Sequence, residues 1–272
     1  GTRNIAIGDS ANDLADTEND NIAIGFEAMT AQIAGASQNI AVGNYALDAL
    51  TSGDGNTVVG HNAGTANTTG ELNVAIGYQA FEANTTASSN VAVGAKALKA
   101  NTTGASNTAV GRDALLLNTT GTRQTAVGAN ALDAATTAND NTAIGFSSLT
   151  ATTTGSSNIA VGGYSLAINT TGSSNTAIGK NTLYSNTTAD NNTAVGFNVL
   201  SENTTGGNNT AVGMNAMALN TTGTGNTGIG AYALDSNTTA LNNTAIGYQA
   251  LTVQTTGALN VAAGYLALGL QT

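Results

Sequence analysis

A seventeen-residue pattern repeats sixteen times along the chain, with the consensus Asn-Thr-Ala-Val-Gly-x-x-Ala-Leu-x-x-Asn-Thr-Thr-Gly-x-x. Positions within a repeat are numbered 1 to 17 from its opening residue, which lies at Asn4, Asn21, Asn39, Asn56, Asn73, Asn90, Asn107, Gln124, Asn141, Asn158, Asn175, Asn192, Asn209, Asn226, Asn243 and Asn260. Only the interval from Asn21 to Asn39 is eighteen residues. A fixed period of this length predicts a solenoid whose coils stack on one another.

The composition excludes several functional classes. Sixteen acidic residues against six basic ones give a net charge of −10, so we expect no nucleic-acid partner, because no basic stripe is present to replace counterions. Cysteine is absent, which excludes a disulfide framework and thiolate metal sites. No run of eighteen apolar residues occurs, so we expect no membrane insertion of this segment.

Residues 1–272 read as one repeat array. The chain opens with Gly1-Thr2-Arg3 in the last three positions of a repeat and closes within another, and neither end has a distinct capping unit. Solenoids normally need caps, so we expect a segment of a longer polypeptide.

The first five positions predict a strand that ends at a corner. Position 2 is Thr in nine copies and Ile or Val in seven, position 3 is Ala in fourteen, and position 4 is Ile or Val in fifteen. β-Branched residues favour an extended backbone. Position 5 is Gly in all sixteen copies, which indicates a positive φ or no room for a Cβ atom.

The remaining positions predict a second strand and a long turn. Ala-Leu at positions 8 and 9 favours a second short strand, with a marginal helix as the rival interpretation. Asn-Thr-Thr-Gly at positions 12 to 15 is typical of a turn. The opening Asn is expected to form a ladder of side-chain amides from coil to coil.

The strand is apolar on both faces, because positions 2 and 4 point one way and position 3 the other. We expect the Ile/Val column to fill the coil with the Leu column, and the Ala column to face outward. An apolar stripe along the whole molecule is rare in soluble monomers. The pattern therefore favours side-by-side packing of identical chains in a closed, cyclic assembly.

The segment Asn-Thr-Ala-Ile-Gly-Tyr-Gln-Ala-Leu at 243–251 resembles the head repeats of YadA-like trimeric autotransporter adhesins. The full seventeen-residue unit is similar to repeats of phage tail fibres and tail-fibre-like surface proteins. The resemblance implies a left-handed parallel β-roll or related β-helix that is trimeric, extracellular, and structural or adhesive. It does not fix a ligand.

Two candidate ion sites have ordinary explanations. His61 follows a Gly corner, and a threefold axis would be needed to gather three copies of it, so a solvated turn residue is the simpler interpretation. The acidic stretch Asp13–Asp20 offers oxygen ligands for Ca²⁺, but it lacks the Gly-rich nonapeptide of calcium-binding β-rolls. We interpret it as a charged turn.

Three further activities each depend on a single feature of the sequence. Acids are sparse and no insertion builds a cleft, which argues against glycoside hydrolysis. Aromatic residues after the Gly corner could stack on sugars, and we expect them on neighbouring repeats only near the C-terminus, at Tyr232, Tyr248 and Tyr265, although corner packing is the competing interpretation. Ice binding would need a flat Thr-x-Thr face, whereas the paired Thr residues are adjacent.

The sequence thus predicts an all-β parallel solenoid of about sixteen seventeen-residue coils, and the resemblance implies a parallel homotrimeric fibre. We expect a structural shaft of an extracellular adhesin or tail-fibre-like protein, at a bacterial cell surface or in a virion, with a cell-surface glycan or receptor as a possible partner. The alternative is that the repeat surface itself binds glycans or ice. We expect no enzymatic activity, and we assign no catalytic, cofactor-binding or metal-ligating residues.

Overall fold

The computed structural model describes residues 2–13, 19–31, 35–253 and 255–269, and these form the predicted all-β parallel solenoid. One strand of three residues, at positions 2 to 4, comes from each repeat. The chain divides into two compact units, Gly1–Asn139 and Asp140–Thr272. Both are built from the same repeat, and in each the strands pair in sequence order.

The strand bounds follow the repeat. The first unit contains β1 (Ile5–Ile7), β2 (Ile22–Ile24), β3 (Ile40–Val42), β4 (Thr57–Val59), β5 (Val74–Ile76), β6 (Val91–Val93), β7 (Thr108–Val110) and β8 (Thr125–Val127). The second contains β9 (Thr142–Ile144), β10 (Ile159–Val161), β11 (Thr176–Ile178), β12 (Thr193–Val195), β13 (Thr210–Val212), β14 (Thr227–Ile229), β15 (Thr244–Ile246) and β16 (Val261–Ala263).

Pairing is parallel and in register, so that each position faces the same position of the next repeat, as in Thr176↔Thr193. The eighteen-residue repeat keeps this register, since Ile22 pairs with Ile40. The N–H of Ala31 donates to Asp48, which is the ordinary pairing of position 11 with position 10 of the next repeat. The Asn21 side chain, however, donates to a carbonyl fifteen residues ahead, at Ala36, where the equivalent bond of Asn56 spans fourteen. The extra residue therefore lies at 32–35, most of which is outside the described residues.

The faces of the strand are opposite to the sequence-based prediction. Position 3 points into the coil, where alanines such as Ala109, Ala143 and Ala160 are fully buried. Ile and Val at position 4 point outward, and Ile144 is 41% exposed. The coil interior is narrow, and only a small side chain fits opposite the buried Leu of position 9. The prediction of an outward Ala column was therefore wrong.

Positions 3 and 9 fill a shared volume. Position 3 departs from Ala in two repeats. In the repeat that begins at Asn56, Val58 replaces Ala at position 3 and Gly64 replaces Leu at position 9. A Cβ atom on Gly64 would lie 3.6 Å from both Val58 methyl groups. In the repeat that begins at Asn226, Gly228 occupies position 3. A Cβ atom there would lie 2.9 Å from Cγ of Met217, at position 9 of the preceding repeat. In these two places a larger residue at one position meets a smaller residue at the other, as close packing requires.

The Gly corner is confirmed. Gly94, for example, has φ +136°, and a Cβ atom on it would lie 2.5 Å from the carbonyl oxygen of Gly111 in the next coil. Two independent constraints thus require glycine, a left-handed backbone and close approach between coils.

No second strand follows the corner in the described residues, so that prediction was wrong. Positions 6 to 11 form a turn in which positions 7 and 9 are left-handed, as at Lys96 (φ 60°) and Leu98 (φ 51°). The amide of Lys96 donates to the preceding coil, at Tyr78, while that of Leu98 donates to the following coil, at Ala114. The alternating backbone therefore keeps every coil bonded on both sides without an extended segment.

The predicted ladder of opening asparagines is confirmed. The backbone N–H of Asn175 donates to Oδ1 of Asn158 at 3.0 Å, and its Nδ2 donates to the same oxygen at 3.2 Å and to the carbonyl of Ala189 at 2.8 Å. These side chains are buried in repeat after repeat. Their amides are satisfied only when the next coil presents the same atoms.

A second ladder was missed by the sequence analysis, which read position 12 as part of an outer turn. Nδ2 of Asn186 donates to Oδ1 of Asn169 at 2.8 Å and to the carbonyl of Ala189 at 3.1 Å, so one carbonyl joins both ladders. Next to it, the hydroxyl of Thr187 donates to the carbonyl of Thr204 at 3.1 Å. Part of the Asn-Thr-Thr-Gly segment therefore lies in the core, and the rest lies at the surface.

Compensation between Val58 and Gly64 can be measured with a double-mutant cycle. We expect Gly64→Leu alone to destabilise the protein by about 1–3 kcal/mol through overpacking, and Val58→Ala alone to destabilise it by leaving a cavity. The double variant restores the consensus pair, so its coupling energy should be favourable by at least about 0.5 kcal/mol in urea denaturation. Simple additivity of the two single effects would contradict the shared volume.

Candidate interaction surfaces

The outward side of each sheet, defined by the side chains at positions 2 and 4 and called the sheet face, is uncharged and largely apolar. It contains only Thr, Ile and Val, with Ala263 in the last strand. Several of its members are substantially exposed, such as Ile178, at 41%, and Ile246, at 47%. Because pairing is in register, the two columns run straight across the strands of each unit.

Aromatic side chains at positions 6 and 7 form short stacks on neighbouring coils. The predicted C-terminal group is present, with ring centroids 6.1 Å apart for Tyr232 and Tyr248 and 5.5 Å for Tyr248 and Tyr265. The prediction that neighbouring aromatics occur only there was wrong, since the rings of Phe146 and Tyr164 also meet, with centroids 5.3 Å apart.

His61 belongs to a further stack in the first unit. Its ring lies 5.9 Å from Tyr45 and 5.9 Å from Tyr78, and Tyr45 meets Phe26 at 5.4 Å. Tyr45 holds position 7 whereas the other three hold position 6, so the spacings are 19, 16 and 17 residues and the group does not follow a single period in the sequence. The contacts between rings support the interpretation that the aromatic residues pack at the corner.

Side chains at positions 7, 10 and 11 border shallow grooves, and this side of the coil is called the turn face. One groove, in the second unit, has a volume of about 450 Å³ and is lined by Tyr164, Asn181, Tyr184, Asn198, Ser201 and Glu202. Tyr184 is one of two aromatic residues that lie outside positions 6 and 7; the other, Phe81, is buried in the core. The groove brings together three consecutive repeats.

At the corresponding positions of the first unit, the polar side chains form an ion pair with one another. Nζ of Lys99 lies 3.2 Å from a carboxylate oxygen of Glu82, and the Gln79 side chain hydrogen-bonds both partners, at 3.3 Å and 3.0 Å respectively. These residues hold positions 7 and 10 of the repeats that begin at Asn73 and Asn90. Their polar groups are directed at one another.

Only the ends of the acidic stretch proposed as a candidate for Ca²⁺ are described, since residues 14–18 lie outside the described residues. Asp20 is engaged by Arg3, whose Nη2 lies 2.6 Å from Oδ2, and this hydrogen bond lowers the pKa of the exposed Asp20 carboxyl. Within the described ranges, no group of three His, Asp or Glu side chains is arranged to hold a metal ion.

The Asn-Thr-Thr sequences match the acceptor sequence for N-linked glycosylation, but their Asn side chains are hydrogen-bonded within the fold. Asn84 and Asn220 are fully buried, and their Nδ2 atoms, the nitrogens to which a glycan would attach, donate within the second ladder. The paired Thr residues lie on different sides, as expected: Thr187 is half-buried, whereas Thr188 is exposed. A continuous Thr face therefore does not arise from this pair.

Comparisons with known proteins return no family. No protein-family profile matches the chain, and no curated protein matches it. In the described part of the chain, no helix combines the length and apolar character that crossing a bilayer requires.

One carboxyl on the turn face predicts a pH-dependent stability. Burial raises the pKa of Asp48, whose Oδ1 is buried without a hydrogen bond, and the charge of Glu27 adds to the effect. A raised folded-state pKa means that the folded protein binds more protons than the unfolded chain, so this contribution lowers stability as pH rises through the two pKa values.

We therefore expect Asp48→Asn to raise the urea midpoint at pH 7, and this gain to shrink as the pH is lowered towards 4. Glu71→Gln, at an exposed carboxyl, changes the net charge equally and serves as the control. A gain that is independent of pH, or equal in the control, would contradict the role of burial.

Proposed function

We propose that this chain is the structural shaft of an extracellular trimeric fibre of the adhesin or tail-fibre type, which supports attachment to a surface. The observation that carries the proposal is the sheet face, an uncharged apolar surface repeated in every coil. Soluble proteins rarely leave such a continuous surface exposed. The proposal assigns the chain no enzymatic activity and locates it at a bacterial cell surface or in a virion.

The occupant of the sheet face is an identical chain. An identical copy brings an equally uncharged face, so no buried charge has to be paired. In each unit, eight strands about 4.8 Å apart and a face about 10 Å wide offer roughly 400 Å². Each unit thus supplies about half of the roughly 800 Å² per partner that is typical of a stable interface. The number of three chains rests on the resemblance to trimeric adhesin repeats.

Strict periodicity also supports a role in length and shape. The same hydrogen bonds recur from coil to coil, and ladder asparagines such as Asn175 and Asn186 are bonded to the neighbouring coil. Such an array extends by adding coils, and this suits a spacer that displays a binding element away from a surface.

The assembly can be tested with charges on the sheet face. We expect the double variant Ile144→Lys and Ile178→Lys to reduce the mass measured by light scattering from three chains to one, because lysines cannot be buried without partners. Far-UV circular dichroism should remain unchanged, since both side chains point away from the core. The matched control, Thr154→Lys with Thr188→Lys, adds the same charges to the same repeats at exposed position 14.

A wild-type protein that is monomeric in dilute buffer would overturn the proposed assembly. Equal dissociation by both pairs of lysines would instead indicate general charge repulsion, and would remove the sheet face as the specific interface.

A second candidate function, ice binding, is favoured by the order of the sheet face in the second unit. Thr at position 2 stands beside Ile or Val at position 4 in most of these strands, with the threonines at Thr142, Thr176, Thr193, Thr210, Thr227 and Thr244. Hydroxyl and methyl groups are thereby held at two fixed spacings, about 4.8 Å between strands and about 6.7 Å along each strand. A regular surface of this kind presents ordered hydroxyl and methyl groups to water.

Thermal hysteresis distinguishes the two uses of the same face. If chains cover it, the wild-type protein should show no hysteresis. If it is free and binds ice, hysteresis should be present in a monomer and lost in Thr193→Lys with Thr210→Lys, while the Thr154→Lys and Thr188→Lys control retains it.

A further inference from the structure

The groove on the turn face of the second unit contains unused hydrogen-bonding groups. No described residue hydrogen-bonds the side-chain amides of Asn181 and Asn198 or the carboxylate of Glu202. Ser201 donates its hydroxyl to the carbonyl of Ala218 at 3.2 Å, which leaves its oxygen free to accept. Polar donors and acceptors therefore point into a space of about 450 Å³.

The backbone explains the presence of these asparagines only in part. Asn181 and Asn198 lie at position 7 with φ of 55° and 57°, a left-handed conformation that Asn tolerates better than most residues. This accounts for the residue type but gives the side-chain amide no partner. In the ladders, by contrast, buried amides such as that of Asn186 are bonded to the neighbouring coil.

The corresponding positions of the first unit also border a groove, with a volume of about 420 Å³, but its polar side chains are paired with one another. Gln79, Glu82 and Lys99 bond to one another there. Their counterparts in the second unit are Asn181, Tyr184 and Ser201, which do not form such a network. The polar groups of the second-unit groove are therefore available to a ligand, whereas Gln79, Glu82 and Lys99 already engage one another.

Two tyrosine rings border the same space. Tyr164 is 40% exposed and Tyr184 is 39% exposed, so each ring has a surface available for contact. Tyr164 is braced by the edge-to-face contact with Phe146, at 5.3 Å and 78°. Aromatic rings combine a large apolar surface with little side-chain entropy to lose on binding.

We propose that this groove is a binding subsite for a neutral or amino pyranose sugar, one or two rings long. The apolar C–H face of a pyranose packs against a tyrosine ring, and its hydroxyl groups match the amides of Asn181 and Asn198. The Glu202 carboxylate accepts sugar hydroxyls or an ammonium group, and it repels uronic acids and sialic acids. The volume lies in the range typical of small-ligand sites.

The subsite goes beyond the shaft function and does not depend on it. It lies at positions 7, 10 and 11, whereas assembly is assigned to positions 2 and 4. Sugar binding should therefore persist in the Ile144→Lys and Ile178→Lys variant, whatever its oligomeric state. Failure of one proposal leaves the other intact.

Saturation-transfer NMR and titration calorimetry test the proposal with four probes, namely triacetylchitotriose, cellotriose, maltotriose and trigalacturonic acid. We expect saturable binding of at least one neutral trisaccharide, with a Kd near the millimolar range, about −4 kcal/mol. The anionic trisaccharide should not bind. Lack of saturable binding for all three neutral probes would overturn the proposal.

Variants locate the binding. Tyr184→Ala should weaken it at least about tenfold, equivalent to about 1.4 kcal/mol, whereas Tyr184→Phe should retain most of it. Asn198→Gly removes the amide while keeping a residue that tolerates the left-handed backbone. Tyr78→Ala, at an exposed tyrosine of the first unit, is the matched control, and an equal loss there would overturn the assignment to this groove.

Discussion

Buried side-chain amides that hydrogen-bond from coil to coil impose the strict period of this chain. A buried amide without partners costs about 1–3 kcal/mol, so each ladder asparagine requires the next coil to present matching atoms at the same height. Asn175 and Asn186 meet this requirement in two separate ladders that share the carbonyl of Ala189. The one extra residue falls in the repeat that begins at Asn21, which has no asparagine at the position of the second ladder.

Much of the fold could be predicted from the repeat, because the constraints are local. Glycine at position 5 indicated a corner, β-branched residues indicated the strand, and the opening Asn indicated a ladder. Which face of the strand points inward could not be decided by alternation, since both faces are apolar. Volume decides it, and the paired exceptions Val58 with Gly64 and Gly228 with Met217 carried that information in the sequence.

The turn and the candidate site were less predictable. Leu98 and its equivalents adopt a left-handed backbone that Leu rarely adopts, so Ala-Leu was interpreted as a strand. The sugar groove depends on side chains at positions 7, 10 and 11 of three different repeats, and no linear spacing identifies it. Coil stacking brings these columns together. A shaft with three chains would present three such grooves, and multivalent contact would strengthen weak individual binding.

The second ladder has a consequence for how the protein can be produced. Asn84, Asn220 and their equivalents are followed by Thr-Thr, the acceptor sequence for N-linked glycosylation. In the folded coil their Nδ2 atoms are buried and bonded, but during synthesis in a eukaryotic secretory pathway they are accessible before the coils form. A glycan attached then would occupy the nitrogen that joins adjacent coils. Expression in a bacterial cytoplasm avoids this conflict, whereas secretion from yeast or insect cells would lower the yield of folded protein.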